Sequence, residues 1–452
     1  MNWAILTIFS LIMFFISPAL GRENRISQFF GAKRKDGSDI DLVTLTSSLL
    51  ISWIFAKSIY NAASLGSSFG APGGLAYATY WLSFIVAGFT IYRLRNQGFE
   101  SIPQFLKSKF GSGALWLFSF ILLFRLWNEI WSNTMVVGQF FGEKGSGSFI
   151  AASWLTTFLV LAYALKSGLR SSIITDLIQM ALASILIAII LGHIFPEKGP
   201  VELIQTGNWN LKGGVDLIFV ALIQIWSYPF HDPVMTDRGF ITEKRKMLKG
   251  FILAGIFGVI FIFLFSFVGI FHGSANLGGD SVIETAKYFG LPMLVIMNLI
   301  MLTSASSTID STYTSAGKLV ALELLEKYHL DKIKLSRITM IVLALLGNAM
   351  VHLGPEILSA TTVSGTMVIG LAPIFLLSSW KKASKASFYS SVLVGLVTGI
   401  FLSLGLIPDS IGDGKYGKLL YANVIGTTLC FISFFAFAYL MPNKKGMNIE
   451  KN

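Results

Sequence analysis

Tyr228-Pro229-Phe230-His231-Asp232-Pro233 lies inside a stretch, 217–236, that is otherwise apolar enough to cross a bilayer. Two prolines remove backbone donors there and break any helix. Non-helical backbone at that depth is tolerated only where protein or a water-filled cavity surrounds it. A second stretch, 40–62, carries Ser52, Lys57, Ser58 and Asn61 among its apolar residues and runs into Ser64-Leu65-Gly66. It reads as interrupted in the same way. Thirteen stretches approach the ~20 apolar residues that a spanning helix needs. They fall at 2–20, 40–62, 71–92, 114–140, 148–165, 171–195, 217–236, 250–271, 289–322, 338–351, 357–379, 386–407 and 419–441, with 338–351 the shortest. Each interrupted stretch heads a block of five. Five is odd, so the second block enters the membrane in the opposite sense. The expected fold is an all-α integral membrane protein of about 13 transmembrane helices in a five-plus-five inverted repeat. Its divisions are 1–39 (an extra helix and a loop), 40–195 (first repeat), 196–216 (a connecting loop), 217–379 (second repeat) and 380–452 (two helices and a tail). Paired broken helices at matching positions point to a binding site near the bilayer midplane.

Composition agrees. Only 13% of the 452 residues are charged and 54% are hydrophobic, whereas soluble domains carry roughly 25% charged residues. The single cysteine, Cys430, excludes an intramolecular disulfide framework and a Cys-based metal cluster. A net charge of +11 invites thoughts of nucleic acid, but the positions of the charges dispel them. Alternate loops hold 26 Lys and Arg on one side of the membrane and 6 on the other. That asymmetry is the positive-inside pattern. It places the N-terminus outside and the C-terminus in the cytoplasm of a multi-pass plasma (inner) membrane protein. The first stretch has no basic residue before its apolar run, as a signal peptide would, and reads as an anchor. The partners implied are the lipid bilayer and small molecules, not nucleic acid, and nothing in the sequence sets an oligomeric state.

Ionisable groups at bilayer depth are costly and face a cavity or a partner. Here they are Lys57, Arg125, Glu129, Asp176, Asp232, Asp310 and Lys318, with His231 beside them. Arg125 and Glu129, four apart, suit a local ion pair. Lys318 lies near a helix end and can snorkel. The ninth stretch adds Thr303-Ser304-Ala305-Ser306-Ser307-Thr308-Ile309-Asp310-Ser311-Thr312, seven hydroxyls and a carboxylate in ten residues. One or two such hydroxyls are ordinary interhelical bonding. Seven with an aspartate point to a site for a small hard cation such as sodium.

Four segments together resemble the sodium:solute symporter family. Ser307-Thr308-Ile309-Asp310-Ser311 is similar to that family's sodium-site helix. The run from Glu100 to Gly111, ESIPQFLKSKFG, looks like its cytoplasmic loop. Thr175-Asp176-Leu177-Ile178-Gln179 matches its fifth core helix, and the basic stretch from Arg238 to Lys249 falls where the family carries an Arg- and Lys-rich loop. The resemblance implies a leucine-transporter-type fold and sodium-driven uptake by alternating access. Carried over, one Na+ would take the carbonyls of Ile51, Ile54 and Ser304 and the hydroxyls of Ser307 and Thr308. A second cation would use Asp176 and Ser311, with Asp310 beside them.

Two departures stand out. Lys57 occupies a position where the family places a small or acidic-polar group, and His231-Asp232-Pro233 replaces its usual stretch. Lys57 could pair with Asp176, Asp232 or Asp310, stand in for a cation, or hold an anionic solute, since a buried ammonium needs a counter-charge. The expected activity is sodium-coupled import of a small polar or carboxylate-bearing solute, with no enzymatic role. The solute wall would draw on Trp53, Lys57, Tyr60, Asn61, Trp127, Asn128, Gln224, Trp226 and Tyr228. The competing readings are proton coupling through Asp176, Asp310 or His231, an intramembrane enzyme using His231 and Asp232, and a transporter-shaped sensor.

Overall fold

Long apolar runs close their backbone hydrogen bonds within one helix, and in the computed structural model every regular element among the described residues, 2–34, 37–353, 364–408 and 410–442, is a helix. The chain opens with α1 (Asn2–Ile16) and a short α2 (Arg25–Gly31). The first interrupted stretch then appears as α3 (Leu42–Ile51) and α4 (Ala56–Phe69), bent by 60° across residues 52–55. Asp41 starts α3 by accepting from the Thr44 N–H at 2.8 Å, an N-cap that satisfies one of the helix's orphan donors. Next come α5 (Ala71–Asn96), α6 (Ile102–Phe110), α7 (Ser112–Gly138), α8 (Gly147–Ser167) and α9 (Leu169–Glu197).

The second interrupted stretch is α10 (Val215–Gln224), a 3-10 turn at Tyr228–His231, and α11 (Pro233–Arg238). Pro233 opens α11 where a missing N–H costs nothing, and Asp232 caps it by accepting from the Val234 N–H at 3.0 Å. It is followed by α12 (Lys244–Ser274), α13 (Ser281–Tyr288) and α14 (Leu291–Lys318), which runs on as a π-helical turn to Leu324. The remaining helices are α15 (Lys332–Asn348), α16 (Leu371–Leu376), α17 (Lys385–Ser403) and α18 (Gly417–Leu440).

Among the described residues, nine helices are long and apolar enough to cross a membrane, and a tenth forms if α3 and α4 count as one. The expected thirteen are therefore not all reached by that measure. The first stretch is a 15-residue helix that stops before Pro18, and α10 is only 10 residues long because the break follows it. Part of 357–379, with all of the tail after 442, lies outside the described residues. The shortest stretch, 338–351, is instead a full helix that begins at Lys332. No loop exists at 63–70 either. Helix α4 continues to Phe69 and only Gly70, with φ of 69°, separates it from α5.

Helix α14 runs through the centre, packed against α3, α4, α7, α8 and α9. The first helix of each block also packs on the second helix of the other, α4 on α12 and α10 on α5. That reciprocity is what a two-fold relation between blocks requires. Gly66, Gly269 and Gly273 bring α4 and α12 backbone to backbone. A Cβ added at Gly269 would lie 1.6 Å from the Ala63 carbonyl oxygen, and one at Gly273 would lie 2.5 Å from that of Ser67. Small residues four apart permit this approach in membrane helices.

Candidate functional site

The break at 52–55 leaves backbone open. Among the described residues, no backbone N–H bonds to the carbonyls of Ile51 or Ile54, because Phe55 is extended and the next helical bonds run to its own carbonyl. Helix α14 passes this break with Ser304, Ser307 and Thr308 all fully buried. The Thr308 hydroxyl donates to the Ser304 carbonyl at 2.9 Å, and the Ser307 hydroxyl donates to Asp176. Each hydroxyl oxygen keeps lone pairs for a further contact. Carbonyl and hydroxyl oxygens around an open break suit a sodium ion. The sequence-predicted donors fall on the two elements that the fold brings into contact.

Beside the breaks sits a first cluster of buried charges. Lys57 Nζ is 2.6 Å from Glu129 Oε1, and Arg125 also pairs with Glu129. Arg125 Nη2 reaches Asp232 Oδ2 at 3.2 Å, and Trp53 Nε1 donates to the same oxygen at 2.9 Å. Asn133 completes the group, donating to Glu129 Oε2 at 2.9 Å and accepting from the Lys57 backbone N–H at 3.2 Å. All of these side chains are buried. Two cations face two carboxylates, so the set is neutral. The expectation for Lys57 is corrected here, since its partner is Glu129 rather than Asp176, Asp232 or Asp310. Arg125 and Glu129 do form the expected pair, as part of a four-charge network.

A second cluster lies beyond the first break. Asp176 accepts from the Ser48 hydroxyl at 2.5 Å, from Ser307, and from Arg238 Nη2 at 2.9 Å. Asp310 accepts from Ser172 at 2.7 Å, Thr175 at 3.2 Å and Ser311 at 3.2 Å. Arg238 is the residue that sequence reasoning missed. It counts by position among the loop cations, yet it ends α11 fully buried. Lys318, in contrast, stays near its helix end and pairs with Asp237 at 2.8 Å.

The predicted wall residues divide. Trp53 and Tyr228 are buried ring to ring at 5.8 Å, and Trp53 also meets Phe84 at 5.0 Å. Asn61 donates to the Tyr77 hydroxyl at 3.3 Å, and Asn128 is buried on the Arg125 face of α7. Tyr60 bonds to Asp280 at 2.6 Å. Gln224 accepts from Tyr80 at 2.8 Å and donates to Asn423 of α18 at 2.9 Å. The remaining two, Trp127 and Trp226, stand apart. Trp127 Nε1 donates to the Leu346 carbonyl at 3.0 Å, and Trp226 is 44% exposed. Two residues along a helix is about 200° of rotation, so Trp127 points away from the face that carries Arg125. His231 contacts the Tyr228 carbonyl through Nδ1 rather than Asp232.

No family model matches the chain, and no curated protein matches it by sequence. A solved structure does. It is the substrate-bound outward-open state of a Na+-coupled sialic acid symporter, described as revealing a novel Na+-site. The two share 15% sequence identity over 98% of each chain, with a TM-score of 0.75. At that identity the likeness establishes the fold.

Proposed function

We propose that this protein is a sodium-coupled secondary active symporter that imports a small polar or carboxylate-bearing solute by alternating access. The reading is carried by the open carbonyls of Ile51 and Ile54 at the first break together with the buried hydroxyls of Ser307 and Thr308 on α14, a helix that packs against both α3 and α4. The fold shared with a Na+-coupled symporter supports it. The solute site would lie at the first charge cluster, between the breaks. Lys57 and Arg125 are the cations able to hold a carboxylate there, and Trp53, Asn61, Asn128 and Tyr228 would form its wall. A carboxylate entering this site exchanges with Glu129 or Asp232 and leaves neither cation bare. A neighbour that carries sialic acid supports testing organic acids first. The basic loops would face the cytoplasm of a plasma membrane, with the N-terminus outside. One charge moved through 100 mV supplies about 2.3 kcal/mol, so each sodium adds a usable bias.

The test is a thermal-shift screen of the purified protein across a solute panel, with and without sodium. A solute that raises the melting temperature only with sodium present establishes coupling and solute together by linkage. Proton coupling on the same fold is the second reading. It is favoured by Asp310, which has hydroxyl donors but no ion-pair partner among the described residues. Equal uptake in sodium-free acidic buffer and in sodium would replace the first reading with the second.

A further inference from the structure

Arg238 spends its donors on five oxygens. Nε donates to Ser48 Oγ at 2.7 Å and Nη1 to the Val234 carbonyl at 2.7 Å. Nη2 reaches Ser311 Oγ at 2.8 Å, Asp176 Oδ2 at 2.9 Å and Ser172 Oγ at 3.4 Å. The oxygens around it, two carboxylates with the hydroxyls of Ser48, Ser172, Thr175, Ser307 and Ser311, are the donor chemistry of a hard cation. The cation they hold is instead part of the chain. A guanidinium cannot be deprotonated in a protein, so its charge is permanent and is lost only if the side chain leaves.

Ser307 joins this cage to the proposed sodium site. Its hydroxyl proton goes to Asp176, which leaves its oxygen as an acceptor. Arg238 thereby orients one ligand of the neighbouring ion while occupying the best anionic oxygen of its own cage. Removing it would leave two carboxylates among hydroxyls with no positive charge. A buried, uncompensated charge is costly, and sodium is the small cation at hand.

We propose that Arg238 is a tethered cation that keeps the Asp176–Asp310 cage closed to sodium, so that the protein binds one sodium rather than two. This rests on the reading of the Ile51, Ile54, Ser304, Ser307 and Thr308 group as a sodium site. The test is the stability of the purified full chain against sodium concentration, with choline chloride holding ionic strength constant. Each bound sodium makes the apparent folding constant rise about tenfold per tenfold increase in sodium, once the site is near saturation. The wild type should show one such step, Arg238→Ala two (about a hundredfold), and Arg238→Ala with Asp176→Asn one again. Arg238→Lys, which keeps the charge, should stay at one. Two steps in the wild type, or one step in both the wild type and a folded Arg238→Ala protein, overturns the proposal. Should Arg238→Ala not fold, the wild type and Arg238→Lys decide: one step in each supports it and two in either refutes it. No step in the wild type with one in Arg238→Ala removes the first sodium site but keeps the tethered cation. No step in either removes both.

Discussion

Two buried charge clusters lie within a few helical turns of each other and solve the same electrostatic problem differently. At the breaks, Lys57 and Arg125 face Glu129 and Asp232, and the formal charges cancel. Beyond the first break, Arg238 pairs with Asp176 and is the one cation among the described residues in a cluster of two carboxylates, Asp310 being held by hydroxyls. The neutral cluster can exchange partners without changing its total charge, as a solute site would need when a charged solute enters or leaves. In formal charge the acidic cluster keeps one negative in excess even with Arg238 seated in it, which favours a cation at the adjoining break while the cage itself is filled. The difference separates two roles that the sequence presents as one undivided set of membrane-buried charges.

The largest expected effect comes from unbalancing the neutral cluster. Glu129→Gln leaves Lys57 without its acid and should lower stability by about 3–5 kcal/mol, read as a drop in melting temperature and in monodisperse yield. Lys57→Met combined with Glu129→Gln leaves Arg125 with Asp232 and should recover most of that loss. No recovery in the double variant would mean that charge balance is not what holds this region. Next, Ser307→Ala with Thr308→Ala should remove stabilisation by sodium, about 2.7 kcal/mol at a hundred times the dissociation constant. The same pair should abolish sodium-stimulated uptake without removing the protein from the membrane. Retained sodium stabilisation would take the ion away from the break. Trp53→Phe keeps the ring packing but deletes the donor to Asp232, with an expected cost of about 2 kcal/mol. A much smaller loss would show that Arg125 is partner enough for that carboxylate oxygen.

The smallest effect is a control outside both clusters. Asp41 caps α3, the helix that carries both Ser48 and Ile51. Asp41→Ala should cost about 1 kcal/mol. The Thr44 backbone N–H holds the Asp41 carboxyl below its usual value of 3.8. Its contribution is therefore present above that value and lost as pH falls through the lower, folded-state value. A melting-temperature profile of wild type against Asp41→Ala should converge in acid.

Both breaks were legible in the sequence, because proline at bilayer depth and polar residues in an apolar run have no bland explanation. The break at 52–55 is narrower than the polar residues suggested. Lys57, Ser58 and Asn61 lie on a regular helix, α4, and their polarity reports a buried face instead of unwound backbone. The hydroxyl run on α14 was legible as a candidate ion site, since seven hydroxyls exceed the one or two that interhelical packing uses. Arg238 was hidden by its company. It opens a basic stretch whose other members, from Lys244, begin the next helix, and nothing local distinguishes a cation that turns inward. Glu129 was hidden by Arg125, a sufficient partner one turn away. The pairing with Lys57 joins different helices and leaves no mark in spacing. The case of Trp127 is the reverse, because the helical period alone excludes it from the face of Arg125.

The Lys57–Glu129 pair also sets terms for biogenesis. Its two residues are 72 positions apart, and at 5–20 residues per second the ribosome takes roughly 4 to 14 s to bridge them. Through that interval the nascent chain must lodge a lysine that costs about 2.5–3.5 kcal/mol at a helix centre. Helix α4 therefore has reason to linger at the translocon or the lipid interface until α7 emerges. Arg125 meets the same delay, its second acid arriving 107 residues later.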